Sequence, residues 1–172
     1  MKTRSMSRIL TVVTPTMIVA ILLALSAVAA QKLKMVPFKG SLQGSEIDTP
    51  EGGPPPTTLS VDGSTTGLAT HVGQFSFSYQ LTVNLASGSA TGTGHLVAAN
   101  GDSIDTTIVG QGKPTDTPGV NSIVEMNTIT GGTGRFSGAQ GSFTVDRLVH
   151  LATGATSGSI VVGMITPPGA TH

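Results

Sequence analysis

Phe75-Ser76-Phe77-Ser78-Tyr79-Gln80-Leu81-Thr82-Val83-Asn84-Leu85 alternates apolar and polar side chains without a break. In an extended chain successive side chains point to opposite faces. Phe75, Phe77, Tyr79, Leu81, Val83 and Leu85 therefore share one face, and Ser76, Ser78, Gln80, Thr82 and Asn84 share the other. A helical turn of 3.6 residues would mix the two sets. The stretch reads as an antiparallel strand with one buried and one wet face.

The same period continues on both sides. Ala86-Ser87-Gly88 closes this strand, a further one spans 89–99, and Asn100-Gly101 is a two-residue hairpin signal returning the chain into 102–111. A loop with Pro114 and Pro118 covers 112–119, and strands at 120–130 and 139–150 flank a glycine-rich connection. The last strand is 156–165. Upstream, 35–42 reads as the first strand and 59–72 as the second, broken near Gly63. Four prolines between 48 and 56 predict a long exposed loop that does not pair in a sheet. Nowhere after Gln31 does a helical period persist.

These segments make eight strands, mostly joined by short connections, so neighbours in sequence should be neighbours in space. An open meander would leave two exposed edges, and closure removes them. The expected fold is all-β, an eight-stranded antiparallel up-and-down β-barrel. A β-sandwich is the alternative, although its Greek-key crossovers need long connections, and only 48–56 is a good candidate for one.

The N-terminus has a different character. Lys2, Arg4 and Arg8 precede an apolar run at 9–13, Thr14-Pro15-Thr16 interrupts, and a second run reaches Ala30. Ser26-Ala27-Val28-Ala29-Ala30 supplies small residues for cleavage before Ala30 or Gln31. Residues 1–30 read as a signal peptide and 31–172 as the barrel domain, secreted or periplasmic, touching a membrane only through the signal segment. An uncleaved anchor beginning at Ile9 is the alternative. After cleavage six Lys or Arg remain against nine Asp or Glu, with no basic patch, which argues against nucleic acid as a partner. The 172-residue chain has no cysteine, so disulfides, thiol catalysis and cysteine-based zinc sites are excluded.

Gly131-Gly132-Thr133-Gly134-Arg135-Phe136-Ser137-Gly138-Ala139-Gln140-Gly141 is the one specific motif. As a phosphate loop it fails: no Gly-Lys-Ser/Thr follows, Ser137 stands where a third glycine belongs, and no helix follows to lend its N-terminus. It resembles the G-G-T-G-x-F-x-x-A-x-G signature of the dirigent and allene oxide cyclase-like superfamily. Gly131, Gly132, Gly134, Phe136 and Gly141 carry the match, and 69–75 looks like bacterial secreted relatives. The resemblance implies an eight-stranded barrel, often trimeric, whose cavity holds an apolar small molecule. In the plant members the barrel steers a cyclisation or radical coupling without a cofactor. The glycine signature is structural there, so it transfers no catalytic residue. Unlike the plant members, this chain has no cysteine pair and no Asn-x-Ser/Thr acceptor.

Two charges stand on otherwise apolar faces. Glu125 shares its face with Ile123, Asn127 and Ile129, and Arg147 with Phe143, Val145 and Val149. A hairpin centred on Phe136 would set Glu125 opposite Arg147, Ile129 opposite Phe143 and Ile123 opposite Val149. One reading is a polar group inside a ligand cavity. Others are a buried structural ion pair or a pair facing outward. Tyr79, in its apolar row, is a core residue with a polar tip or a ligand-facing group. Glu125, Arg147, Tyr79 and Asn127 are thus the cavity candidates.

His71, His95, His150 and His172 form no ligand-spaced motif, so no metal is expected. Asn100, Asp102 and Asp105 lack the glycine and final Glu of a calcium loop and read as a hairpin turn. No Gly-x-Ser-x-Gly elbow singles out a serine. No complete catalytic constellation appears, which leaves open whether the chain is an enzyme. Two functions fit: a barrel that binds, isomerises or steers the coupling of a small hydrophobic molecule, or a packed structural or interaction protein. A cavity of about 300 Å³ or more would favour the first.

Overall fold

The computed structural model describes residues 34–170. The signal-peptide reading and His172 lie outside them. Short β1 (Val36–Pro37) is followed by β2 (Gly40–Glu51), β3 (Thr58–Ala69), β4 (Gly73–Asn84), β5 (Ser89–Ala98), β6 (Ser103–Pro114), β7 (Val120–Gly132), β8 (Gly141–His150) and β9 (Ala155–Ile165). Strands β2 to β9 pair antiparallel in sequence order, and β9 closes the ring on β2 through Gly40↔Ile160 to Ser45↔Ala155. The result is a closed eight-stranded up-and-down barrel, as the alternation predicts. β1 adds two residues to the end of β9, pairing Val36 with Ile165. Among the described residues the only helical element is a 3-10 turn at Gly134–Phe136.

Four details differ from the sequence reading. The first strand is two pieces: the chain leaves β1, buries Phe38 and starts again at Gly40. The second strand runs unbroken through Gly63, which pairs with Tyr79. The proline-rich loop is shorter than expected, because residues 48–51 continue β2 and pair with β3, Pro50 against Leu59. Pro50 is tolerated there because β2 loses its β9 partner after Ser45; a strand with one free side need not donate on that side. Finally, β7 and β8 pair two residues out of the expected register. Glu125 faces Val145, Ile123 faces Arg147, and Asn127 faces Phe143. The hairpin centres on Arg135 rather than Phe136. A two-residue shift keeps every side chain on its face, so the inside/outside assignment survives.

The two ends of the barrel differ. At one end Phe38, Phe136, Ile104, Ile129 and Ile165 fill the interior, and Phe38 meets Phe143 edge-on at 5.1 Å. The glycine motif forms this plug. Gly134 adopts φ +56, which a side chain rarely tolerates, and the turn drives Phe136 inward to 1% exposure. Arg135 fastens it: Nη2 donates to the Val72 carbonyl at 3.1 Å, and Nε lies 3.1 Å from the Asp102 carboxylate. Further in, Phe75, Phe77 and Tyr79 pack across the centre. The opposite end is not filled.

Candidate functional site

The open end holds a cavity of about 510 Å³. Leu59, Val61, Leu81, Val83, Ile123 and Val149 supply apolar wall. Its depth ends on charge. Glu46 on β2, Glu125 on β7 and Arg147 on β8 all point inward, Arg147 between Val145 and Val149, Glu125 between Ile123 and Asn127, and Glu46 between Gly44 and Asp48.

Arg147 is 3% exposed and Glu125 2%, and they form a bidentate pair. Arg147 Nε donates to Glu125 Oε2 at 3.1 Å and Nη2 to Oε1 at 2.8 Å. The same guanidinium reaches along the neighbouring strands: Nη1 donates to Thr156 Oγ1 of β9 at 3.2 Å and to Glu46 Oε2 of β2 at 2.6 Å. The Tyr79 hydroxyl donates to Glu46 Oε2 at 2.8 Å, and the Arg147 guanidinium lies 4.9 Å from the Tyr79 ring centroid. Four strands are thereby tied through one arginine, and Tyr79 joins a fifth strand to them. Burial opposes the charge on Arg147, but the hydrogen bonds and charge of Glu125, with Tyr79 and Glu46 adding to them, outweigh it and raise its pKa. Burial likewise pushes the Tyr79 hydroxyl well above its ordinary value; Arg147 pulls it back only in part, and the Glu46 carboxylate adds to the rise.

The backbone makes room for these large groups with glycine. Tyr79 stands between Gly63 and Gly94, Glu125 opposite Gly110, and Arg147 opposite Gly158. A Cβ at Gly63 would overlap the Tyr79 ring, and one at Gly158 would meet the Arg147 Cβ at 2.5 Å. Each bulky polar side chain lies over a neighbour that lacks one.

The structure therefore brings together Glu125, Arg147 and Tyr79, with the first two lining the cavity and Tyr79 behind the arginine. Asn127 is fully buried one step deeper, away from the cavity lining. Its Oδ1 accepts from Thr106 Oγ1 at 3.2 Å, and its Nδ2 has no partner among the described residues. Sequence reasoning missed Glu46 and Thr156. Glu46 was legible in principle: Leu42, Gly44, Glu46 and Asp48 continue one face of the first strand, but the prolines downstream argued for ending it early.

On the outer wall His95 Nδ1 lies 2.6 Å from Asp105 Oδ1, and both side chains are half exposed. Among the described residues no three potential metal-ligating side chains come together. Asn100 and Asp102 form the hairpin turn, where Asn100 Nδ2 donates to Asp102 Oδ2 at 2.7 Å.

The fold and site define a closed antiparallel barrel, plugged at one end and open at the other over a buried ionic floor. Comparisons with family models, with curated proteins and with solved structures return no match.

Proposed function

We propose that this protein is a secreted binding barrel that takes a small, largely apolar molecule into the cavity at its open end. The observation that carries the reading is the 510 Å³ hollow, apolar on its walls and polar at its floor, where a fully packed barrel would have continued its core. Binding sites for small molecules have this character: mostly apolar surface with a few fixed polar groups. The dirigent and allene oxide cyclase-like resemblance of Gly131 to Gly141 points the same way and adds the option that the barrel steers a cyclisation or coupling of what it holds. Export follows from the basic, apolar and small-residue pattern of residues 1–30.

A second reading, an interaction scaffold, is favoured by one outer row. Val109, Met126 and Val162 are exposed on neighbouring strands β6, β7 and β9, with Thr144 of β8 between the last two. Native mass spectrometry of the purified protein separates the two. The binding reading expects a co-purified small molecule that is lost when Val83→Trp fills the cavity. A ligand-free spectrum for both proteins, together with no uptake of an apolar probe, would count for the scaffold.

A further inference from the structure

We infer that the molecule taken into the open-end cavity carries a protonated amine, received between Glu46 at the ionic floor and Asp48 at the mouth. The inference rests on the binding reading above and deepens it by naming the ligand's head group.

The floor of the cavity carries more acid than base. At the floor two carboxyl groups, Glu46 and Glu125, share the single guanidinium of Arg147. Glu125 is satisfied on both oxygens. Glu46 is not: Arg147 and Tyr79 both donate to Oε2, and no group among the described residues donates to Oε1. Asp48 follows two residues along β2, on the same cavity-facing side. Its carboxylate is exposed and has no hydrogen-bond or ion-pair partner among the described residues. Burial and repulsion from Glu46 raise its carboxyl pKa, and Arg147 offsets this only in part. A cation seated here would meet one unshared oxygen at depth and an unpaired acid above it.

The opposite head group fits poorly. Arg147 is the only base at the floor, and four of its five N–H donors are engaged; its two-pronged face is already closed on Glu125. A carboxylate entering would confront Glu46, Glu125 and Asp48 without a free bidentate partner. Lys113 also lines the cavity, exposed as Asp48 is; these two screened charges offset each other and leave the floor with one more acid than base. The apolar wall of Leu59, Val61, Leu81 and Val83 would hold the remainder of the molecule.

The test uses the neutral fluorophore N-phenyl-1-naphthylamine, displaced at neutral pH by decylamine, decanol and decanoate below their micellar concentrations. The amine should displace it at a concentration about tenfold or more below that of the carboxylate, with the alcohol between. Asp48→Asn, which breaks no contact, should lose much of the preference for the amine over the alcohol and the carboxylate. Glu46→Gln should do the same if it folds. Decanoate or decanol competing as well as decylamine, or a preference unchanged in Asp48→Asn, would overturn the head-group assignment while the cavity reading stands. Absence of fluorophore binding, or binding undiminished by Val83→Trp, would overturn the cavity reading itself, and this inference with it.

Discussion

At the plugged end the inward positions of the barrel carry Phe38, Phe136, Ile104 and Ile165; at the open end comparable positions carry Glu46, Glu125 and Arg147 beneath empty space. The strands are the same, although the ladder is interrupted at each end: Phe38 lies between β1 and β2, and β2 continues without β9 after Ser45. The difference is what closes the interior. Apolar groups at the first end gain from leaving water and from close packing. Charged groups at the second gain little net from burial, because desolvation offsets most of their attraction. They are held there by mutual geometry: one guanidinium joined to two carboxyl groups, with a tyrosine hydroxyl on one of these. A fold selected for stability alone would repeat the plug. One end is built to hold the barrel together, and the other keeps an ordered polar surface at the floor of a cavity.

Substitutions at the two ends sharpen this contrast. The largest loss is expected from the plug. Phe136→Ala removes a ring that is almost wholly buried and leaves a void, at about 3–5 kcal/mol in denaturant unfolding. Val83→Ala, on the half-buried wall of the cavity, should cost well under half of that, about 1 kcal/mol. Equal losses would erase the distinction between the ends.

Next comes the glycine that admits Tyr79. Gly63→Ala places a methyl group against the ring and must displace it from Glu46, at about 1–3 kcal/mol. The same alanine at Gly101, in an exposed turn with φ +89, tests backbone strain rather than ring overlap. Only the Gly63 variant should alter the near-ultraviolet signal of Tyr79, the sole tyrosine in the chain.

Tyr79 also makes the open end sensitive to alkali. Its hydroxyl pKa is raised in the fold, so folding favours the protonated form. That contribution is complete below the ordinary tyrosine value of about 10 and declines as pH climbs above it, while the unfolded chain ionises and the folded one does not. Wild-type stability should therefore fall more steeply above that pH than Tyr79→Phe does, and tyrosinate absorbance should appear only with unfolding. At neutral pH Tyr79→Phe should lose about 1–2 kcal/mol, the worth of a hydrogen bond to a charged acceptor.

The smallest effect is at the mouth. Asp48 has its pKa raised, so its ionised form costs the fold a little at neutral pH. That cost is absent below the ordinary aspartate range and grows as pH rises through it. Asp48→Asn should leave the thermal midpoint unchanged or slightly higher at pH 7, a difference within about 0.5 kcal/mol, and none at pH 3. A clear destabilisation would show that Asp48 has a structural partner.

Much of this contrast was written in the sequence. Period-two alternation, clearest at Phe75 to Leu85, defined the barrel, and the two charges on apolar faces marked Glu125 and Arg147 as inward. The register was not legible, because the Gly131–Gly141 connection has no single turn geometry; the 3-10 turn moves the hairpin centre by one residue and the pairing by two. Glu46 was obscured because Pro50 and Pro54 to Pro56 read as a loop, whereas an edge position absorbs a proline. The glycines at 63, 94, 110 and 158 were visible, but their purpose emerges only when pairing sets each beside a large side chain. That Phe136 plugs one end, and that Asn127 lies too deep to line the cavity, depends on where along the barrel axis each falls, which alternation does not encode.

The central claim is that the open end rests on a buried ion cluster rather than on core packing. A double-mutant cycle with Glu125→Gln and Arg147→Met, followed by denaturant unfolding, tests it most directly. Arg147→Met should cost about 3–5 kcal/mol, because it leaves the buried carboxylates of Glu46 and Glu125 without their cation; Glu125→Gln should cost less, because Glu46 still pairs with Arg147. The double variant should cost less than the sum of the two, since Glu125→Gln removes one of the two acids that Arg147→Met strands, while Glu46 keeps only the Tyr79 hydroxyl. Two losses of about 0–1 kcal/mol that simply add would place both side chains in solvent and contradict the account.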